Sequence, residues 1–259
     1  MHMKIIVAAH KPCWFSLDTC YFPLQVGKNA HESFGITGDD TGCNISNKNA
    51  NYCELTGMYW LWKNCNDDYV GLCHYRRYFS DRTFAISMDG KRKTILTQQD
   101  YEKLLASCDC ILPKKRNYVI ETVRSQYNHA HHKSDLDEVE AIIKEKYPQY
   151  SNSFTRVMNR RRLHLYNMFV MKWELFDRYC AFLFGVLFEL EKRIDISDYD
   201  VHEARVFGYI GERLLDVWIE ANHIKYKEVP VVFLGDVNWI SKGLHFLMRK
   251  FVRKGNSID

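Results

Sequence analysis

The sequence predicts an α/β fold, a mixed and mainly parallel sheet flanked by helices. Three observations point to it. Residues 4–9 form an apolar run without alternation, as expected of a strand buried on both faces. Residues 69–73 form a second such run, which ends in His74, Arg76 and Arg77 set among Tyr75, Tyr78 and Phe79. Between the two lie a long polar loop and one strong helix. The resulting order of strand, loop, helix and strand is that of an α/β domain.

The chain has 259 residues, enough for one large domain. Apolar residues make up 46% and charged residues 26%, as in an ordinary globular protein. The net charge of +4 is too small and too dispersed for a DNA-binding face. Aromatics reach 14%; most belong in a core, and some suit sugar or nucleotide sites. The nine cysteines are odd in number and scattered, and no signal-peptide pattern follows Met1. Free thiols in a reducing cytosol are therefore expected. Cys108 and Cys110 have no second pair at zinc spacing, so no metal site is expected. No apolar run approaches the ~20 residues of a membrane span.

In chain order, His10, Lys11 and Pro12 end the first strand. Residues 13–50 lack helical periodicity. Within them, residues 37–49 are rich in Gly, Asp, Asn, Ser and Thr and read as loop. Such a loop either braces its own turns or hydrogen-bonds sugar hydroxyls or a uracil edge. Residues 51–64 read as a helix with Leu55, Tyr59 and Trp62 on one face. The strand at 69–73 follows and delivers two adjacent guanidiniums, which suits a phosphate-bearing ligand. Residues 97–105 read as a short helix and 108–113 as a strand, followed by the basic residues Lys114, Lys115 and Arg116.

Residues 121–150 look helical and contain His129, His131 and His132, whose spacing does not place them on one face for a metal. Arg160, Arg161 and Arg162 precede a strand at 164–171. Helices are expected at 172–191 and 203–222, with a turn bearing Asp195, Asp198 and Asp200 between them. Residues 226–234 read as one edge strand because Pro230 lies within. Residues 241–254 form a basic amphipathic pattern that suits either docking on the domain or an anionic membrane face.

Several stretches together resemble a family of bacterial capsular and exopolysaccharide biosynthesis proteins and glycosyltransferases, first defined as a domain of unknown function. They are residues 6–11, 40–49, 52–56, 59–64 and 71–79, then 112–113, 166–169, 204–208 and 212–215. The sequence departs from the family's pattern at Cys43, where an acidic residue is expected. The resemblance implies a GT-A-like domain over residues 1–240, with a nucleotide-sugar half at 1–120 and an acceptor half at 121–240, followed by the basic tail at 241–259. With the free thiols, a cytoplasmic enzyme is expected, its basic tail either docked on the domain or peripheral at the inner face of the membrane. Its activity would be transfer of a hexosyl group, galactosyl or galactofuranosyl, from a UDP-linked or other nucleotide sugar to a glycan or lipid-linked glycan acceptor.

In such folds the strand after the early helices commonly ends in Asp-x-Asp, which binds a divalent metal. Here that place carries His74, Tyr75, Arg76 and Arg77. Arg76 and Arg77 are thus expected to stabilise the leaving diphosphate in the metal's stead. No cofactor is then required, although Mn2+ or Mg2+ held at Asp109 stays open. His10, Lys11, Asp40, Thr41, Gly42, Asn44, Ile45, Asn49 and His74 are expected to hold the donor, and His129, His131 and Asn167 the acceptor. Asp200, Glu203 and Glu212 are the candidate bases. The alternative is a non-catalytic carbohydrate- or partner-binding module of a polysaccharide assembly complex.

Overall fold

The computed structural model describes residues 1–82 and 85–235. The amphipathic tail lies outside them. The strands are β1 (Met3–Ala9), β2 (Tyr21–Gln25), β3 (Thr37–Gly38), β4 (Tyr69–His74), β5 (Arg77–Phe79), β6 (Cys110–Pro113), β7 (Arg116–Asn117), β8 (Arg162–Leu163), β9 (Phe169–Lys172), β10 (Tyr226–Val229) and β11 (Val231–Phe233). The helices are α1 (Asn49–Tyr52), α2 (Leu55–Asn64), α3 (Met88–Arg92), α4 (Gln98–Leu105), α5 (Val123–Ala130), α6 (Lys133–Lys146), α7 (Ser151–Met158), α8 (Trp173–Arg193) and α9 (Val206–Ala221).

The main sheet has the order β10-β6-β9-β4-β1-β2-β3. β1 pairs in parallel with both β4 and β2, and β2 in parallel with β3. β9 runs antiparallel between β4 and β6, and β10 closes the far edge parallel to β6. From the end of β4 the chain folds back as β5, which pairs with β11. β1 and β4 are central, so both faces of each must be covered. Side chains alternate along β1. On the Ile6 side, Gly57 of α2 lies against Ile6, Leu24 and Val26. On the Ile5 side, Tyr21 meets Tyr78 edge-on and shares a hydroxyl contact of 3.0 Å with Tyr101 of α4. Gly71 of β4 permits the close approach of β9, since a Cβ there would lie 2.7 Å from the Phe169 carbonyl oxygen.

The structure redraws several predicted elements. The region at 13–50 contains β2 and β3; Tyr21–Gln25 is short and interrupted by Pro23, which hides it from pattern reading. The helix at 51–64 breaks at Cys53, whose φ is 53°. The segment at 121–150 is two helices separated at His131 and His132. The strand at 164–171 is interrupted by Tyr166 and Asn167, both in the left-handed region. Pro230 divides the last predicted strand into β10 and β11, which join different partners. All nine cysteines are free thiols. No described helix is long and apolar enough to cross a membrane.

The long loop is ordered around one buried acid. Asp39 is fully buried and accepts from the Gly27 and Lys28 backbone N–H groups at 3.0 and 3.1 Å. It also accepts from Ser46 Oγ at 2.5 Å and Thr56 Oγ1 at 2.6 Å. Four donors gathered from three segments define the path of the chain from β2 to α2. Asp39→Ala removes the shared acceptor of all four, leaving Thr56 only the Cys53 carbonyl at 3.1 Å, and should cost about 3 kcal/mol or more, whereas Asp39→Asn should cost less. Urea unfolding midpoints of the two variants would measure this; equal midpoints would contradict it.

Candidate active site

β1 and β4 are parallel neighbours, so their carboxyl ends open on one side, where α/β sheets commonly bind ligands. A cavity of about 760 Å³ lies there. His10 follows β1 into it, and Tyr75, Arg76 and Arg77 enter from the turn after β4. Cys53 and Glu54 come from the break between α1 and α2. Tyr166 comes from the bend before β9, and Arg205, Tyr209 and Glu212 from the start of α9. This volume is that of a small-molecule site.

The bend carries the acids. Tyr166 has φ 78° and Asn167 φ 52°. The Tyr166 N–H donates to Glu212 Oε1 at 2.7 Å. The Tyr166 carbonyl accepts from His74 Nε2 at 2.6 Å, which places the proton of His74 on that nitrogen. Asn167 Nδ2 donates to Glu54 Oε1 at 2.7 Å and to the Gly208 carbonyl at 3.2 Å. Burial pushes the Glu212 carboxyl up to about 7; the Glu54 carboxylate adds to this, and Arg213, the Tyr166 N–H and Arg77 oppose it. A carboxyl poised there is suited to exchange a proton at neutral pH.

The rest of the wall is cationic. Arg76 packs on the Tyr75 ring at 5.0 Å, and Arg77 on Tyr166 and Phe233 at 4.5 and 5.6 Å. Arg205 Nε lies 3.1 Å from Cys53 Sγ. None of the three has a carboxylate ion-pair partner among the described residues. The His10 pKa is lowered by burial and then by Lys11, Arg76, His31 and Arg205. Burial also lowers that of His74; Glu54 and the Tyr166 carbonyl oppose this, and Arg77 and Arg205 reinforce it. The histidines are thus held neutral while the guanidiniums stay charged, and the cavity attracts anions.

This donor set suits a divalent cation poorly. Glu54 and Glu212 already accept hydrogen bonds from the protein and stand among guanidiniums. Asp109 pairs with Lys172 at 3.2 Å, apart from the cavity. Among the described residues, no group of three or more His, Cys, Asp or Glu is placed to hold a metal ion.

Of the residues singled out from sequence, the structure gathers His10, Asn49, His74, Arg76, Arg77 and Glu212 around the cavity. Asn49 also steadies the α1–α2 break, donating to the Cys53 carbonyl at 2.7 Å and Thr56 Oγ1 at 2.9 Å. Lys11 is exposed and outside the lining. Asp40, Thr41, Gly42, Asn44 and Ile45 stand elsewhere and brace their own loop. Asp40 lies 3.8 Å from Lys28, and Thr41 accepts from Trp60 Nε1 at 2.8 Å. Asn44 donates to the Asp40 and Gly42 carbonyls, Gly42 abuts Asn64, and Ile45 is in the core.

The other two candidate bases are also placed outside the lining. Asp200 accepts from the His202 and Glu203 N–H groups at 2.7 Å, and Glu203 pairs with His132 at 3.3 Å. His129 pairs with Glu121. His131 stacks on the wall residue Tyr209 at 4.2 Å, its pKa lowered to about 4 by burial and then by Arg213. Asn167 is buried beneath Glu54 rather than open to a ligand. Glu54, Tyr166, Arg205 and Tyr209 went unassigned to the site in sequence, although the first three fall within the stretches that carry the family resemblance.

The profile of the family described as "Domain of unknown function (DUF4422)" matches residues 4–223. The chain belongs to this family. No curated protein matches it. Among solved structures, it is similar to the apo structure of WbbM, a bifunctional glycosyltransferase, with 33% identity and a TM-score of 0.85. The match covers 91% of this chain and 46% of that one, so this DUF4422 chain spans about half the length of WbbM. The fold is that of a glycosyltransferase.

Asn167→Ala removes the only described hydrogen-bond donor to Glu54 and puts a Cβ-bearing residue without a polar side chain at φ 52°. It should cost about 2–4 kcal/mol, and Asn167→Gly about 1 kcal/mol less, because glycine tolerates that φ. Equal chemical-denaturation midpoints for the two variants would show that no backbone strain resides there.

Proposed function

We propose that the chain is a hexosyltransferase of surface polysaccharide synthesis, moving a sugar from a nucleotide sugar to a glycan acceptor. The observation that carries this is a single cavity, at the carboxyl edge of β1 and β4, containing three uncompensated guanidiniums and a carboxyl group poised near 7. Arg76 and Arg77 take the donor diphosphate, Arg205 adds to the same field, and His10 lies at its mouth. As the bond from the anomeric carbon to the diphosphate breaks, its electron pair stays on phosphate oxygen, where fixed guanidiniums stabilise it without reorganisation. Glu212, ionised, accepts the proton of the acceptor hydroxyl that attacks the opposite face. Glu54 and Asn167 hold the bend that orients Glu212. The similarity to WbbM supports the reading at the level of reaction class.

A UDP-linked galactose, in pyranose or furanose form, is the first donor to try. It should stabilise the protein in a thermal-shift assay with chelator present, and Arg77→Ala should weaken binding about 10- to 100-fold. Stabilisation that disappears with chelator would refute the arginine assignment. An absence of UDP release from any nucleotide sugar would instead favour a binding module.

Glu212→Gln should leave donor binding in place and lower transfer about 10²- to 10⁴-fold. The wild-type kcat/KM should rise with pH around a midpoint near 7. Stability should move the opposite way. The folded-state pKa lies above the ordinary 4.5, so the folded protein loses stability as pH rises from about 4.5 to 7. Glu212→Gln should therefore gain on wild type at pH 8, on the order of 2–3 kcal/mol, and not at pH 4.5. Melting curves at the two pH values measure this.

A further inference from the structure

Most arginines outside the cavity are paired with acids. Arg124 meets Asp137 and Glu140, Arg156 and Arg160 meet Glu220, and Arg193 meets Glu138, Glu145 and Glu189. One arm departs from this. β7 and β8 form a two-stranded antiparallel ribbon separate from the main sheet. Beyond β7 stand Val119 and Ile120, 66% and 83% exposed.

Two adjacent branched aliphatics gain nothing from water, and Val119 has φ 64°, which a β-branched residue seldom adopts. The conformation is nonetheless held in place. The Val119 N–H donates to Asn117 Oδ1 at 3.0 Å, and its carbonyl accepts from the Arg161 guanidinium at 3.3 Å. The Tyr118 N–H donates to the Arg161 carbonyl at 2.8 Å. Arg116, Arg161 and Arg162 flank the tip, exposed, and none has a carboxylate partner among the described residues.

We propose that this arm is a membrane contact, with Val119 and Ile120 entering the headgroup boundary of an anionic bilayer and Arg116, Arg161 and Arg162 meeting its phosphates. A soluble anion would satisfy the guanidiniums and leave the aliphatic pair in water. An apolar protein groove would take the pair and leave three cations unmatched. An anionic lipid surface satisfies both. The arm is joined along the chain to the wall of the cavity. β8 leads through His164 to the bend at Tyr166.

The test is co-sedimentation of the full chain with phosphatidylglycerol-containing vesicles and with phosphatidylcholine vesicles. Binding should favour the anionic vesicles and weaken with salt. Val119→Ser with Ile120→Ser should reduce it about tenfold or more, and Arg116→Gln with Arg162→Gln about fivefold per residue. These side chains are exposed, and an unchanged melting temperature checks that the variants fold. Tip and arginine variants that bind like wild type would overturn the proposal, whichever other segment then holds the lipid. Equal binding to both vesicle types would overturn it too. The readout is independent of the transferase reading, whose failure would appear in the nucleotide-sugar assays and leave vesicle binding untouched.

Discussion

The bend at Tyr166 and Asn167 ties the site together. Its N–H, carbonyl and side-chain amide reach Glu212 on α9, His74 at the end of β4 and Glu54 at the start of α2. Left-handed backbone at two consecutive non-glycine residues costs about 1–2 kcal/mol each. Hydrogen bonds to two carboxylates are of the stronger, charge-assisted kind and offset that cost. The same bonds fix where the acids stand. Without the bend, Glu212 and Glu54 would face a cationic cavity as loose side chains; with it, they form part of its wall.

The cavity's electrostatics follow from which groups can give up their charge. Burial among cations discharges histidine, and burial alone raises a carboxyl group. Guanidinium does neither under accessible conditions. The lasting charge of the site is therefore the positive charge of Arg76, Arg77 and Arg205, and the groups left near neutrality are those able to move a proton. Fixed positive charge and titratable groups thus fall to different residues of one wall.

The central strands were legible because burial on both faces writes a continuous apolar run, and the turn after β4 because charge follows it at once. Glu212 was legible as an acid near the start of an amphipathic helix. The loop at 37–49 was not resolved by its composition, since the atoms with which Asn, Asp and Ser would bind a sugar are those with which they brace a turn. Asp39 and Asn44 use them for the turn. Left-handed conformations at Cys53, Tyr166 and Asn167 leave no glycine to mark them. Tyr166 and Asn167 sit in a run that reads as strand, so the approach of Glu54 and Tyr166 to the cavity was hidden.

The place of β9 in the sheet constrains how the chain acquires its fold. Residues 169–172 wedge between strands drawn from 69–74 and 110–113, and antiparallel to both. Until the ribosome has delivered them, β4 and β6 each expose an unpaired edge, and a chain stopped near residue 120 keeps both. The early strands can collapse by themselves, but joining the two sides of the sheet waits on contacts about 100 residues apart in sequence. Closure across such a span is slow by its loop entropy and leaves strand edges open meanwhile. The portions of the chain before and after β9 are therefore bound to mature together, and neither is expected to survive as a separately expressed piece.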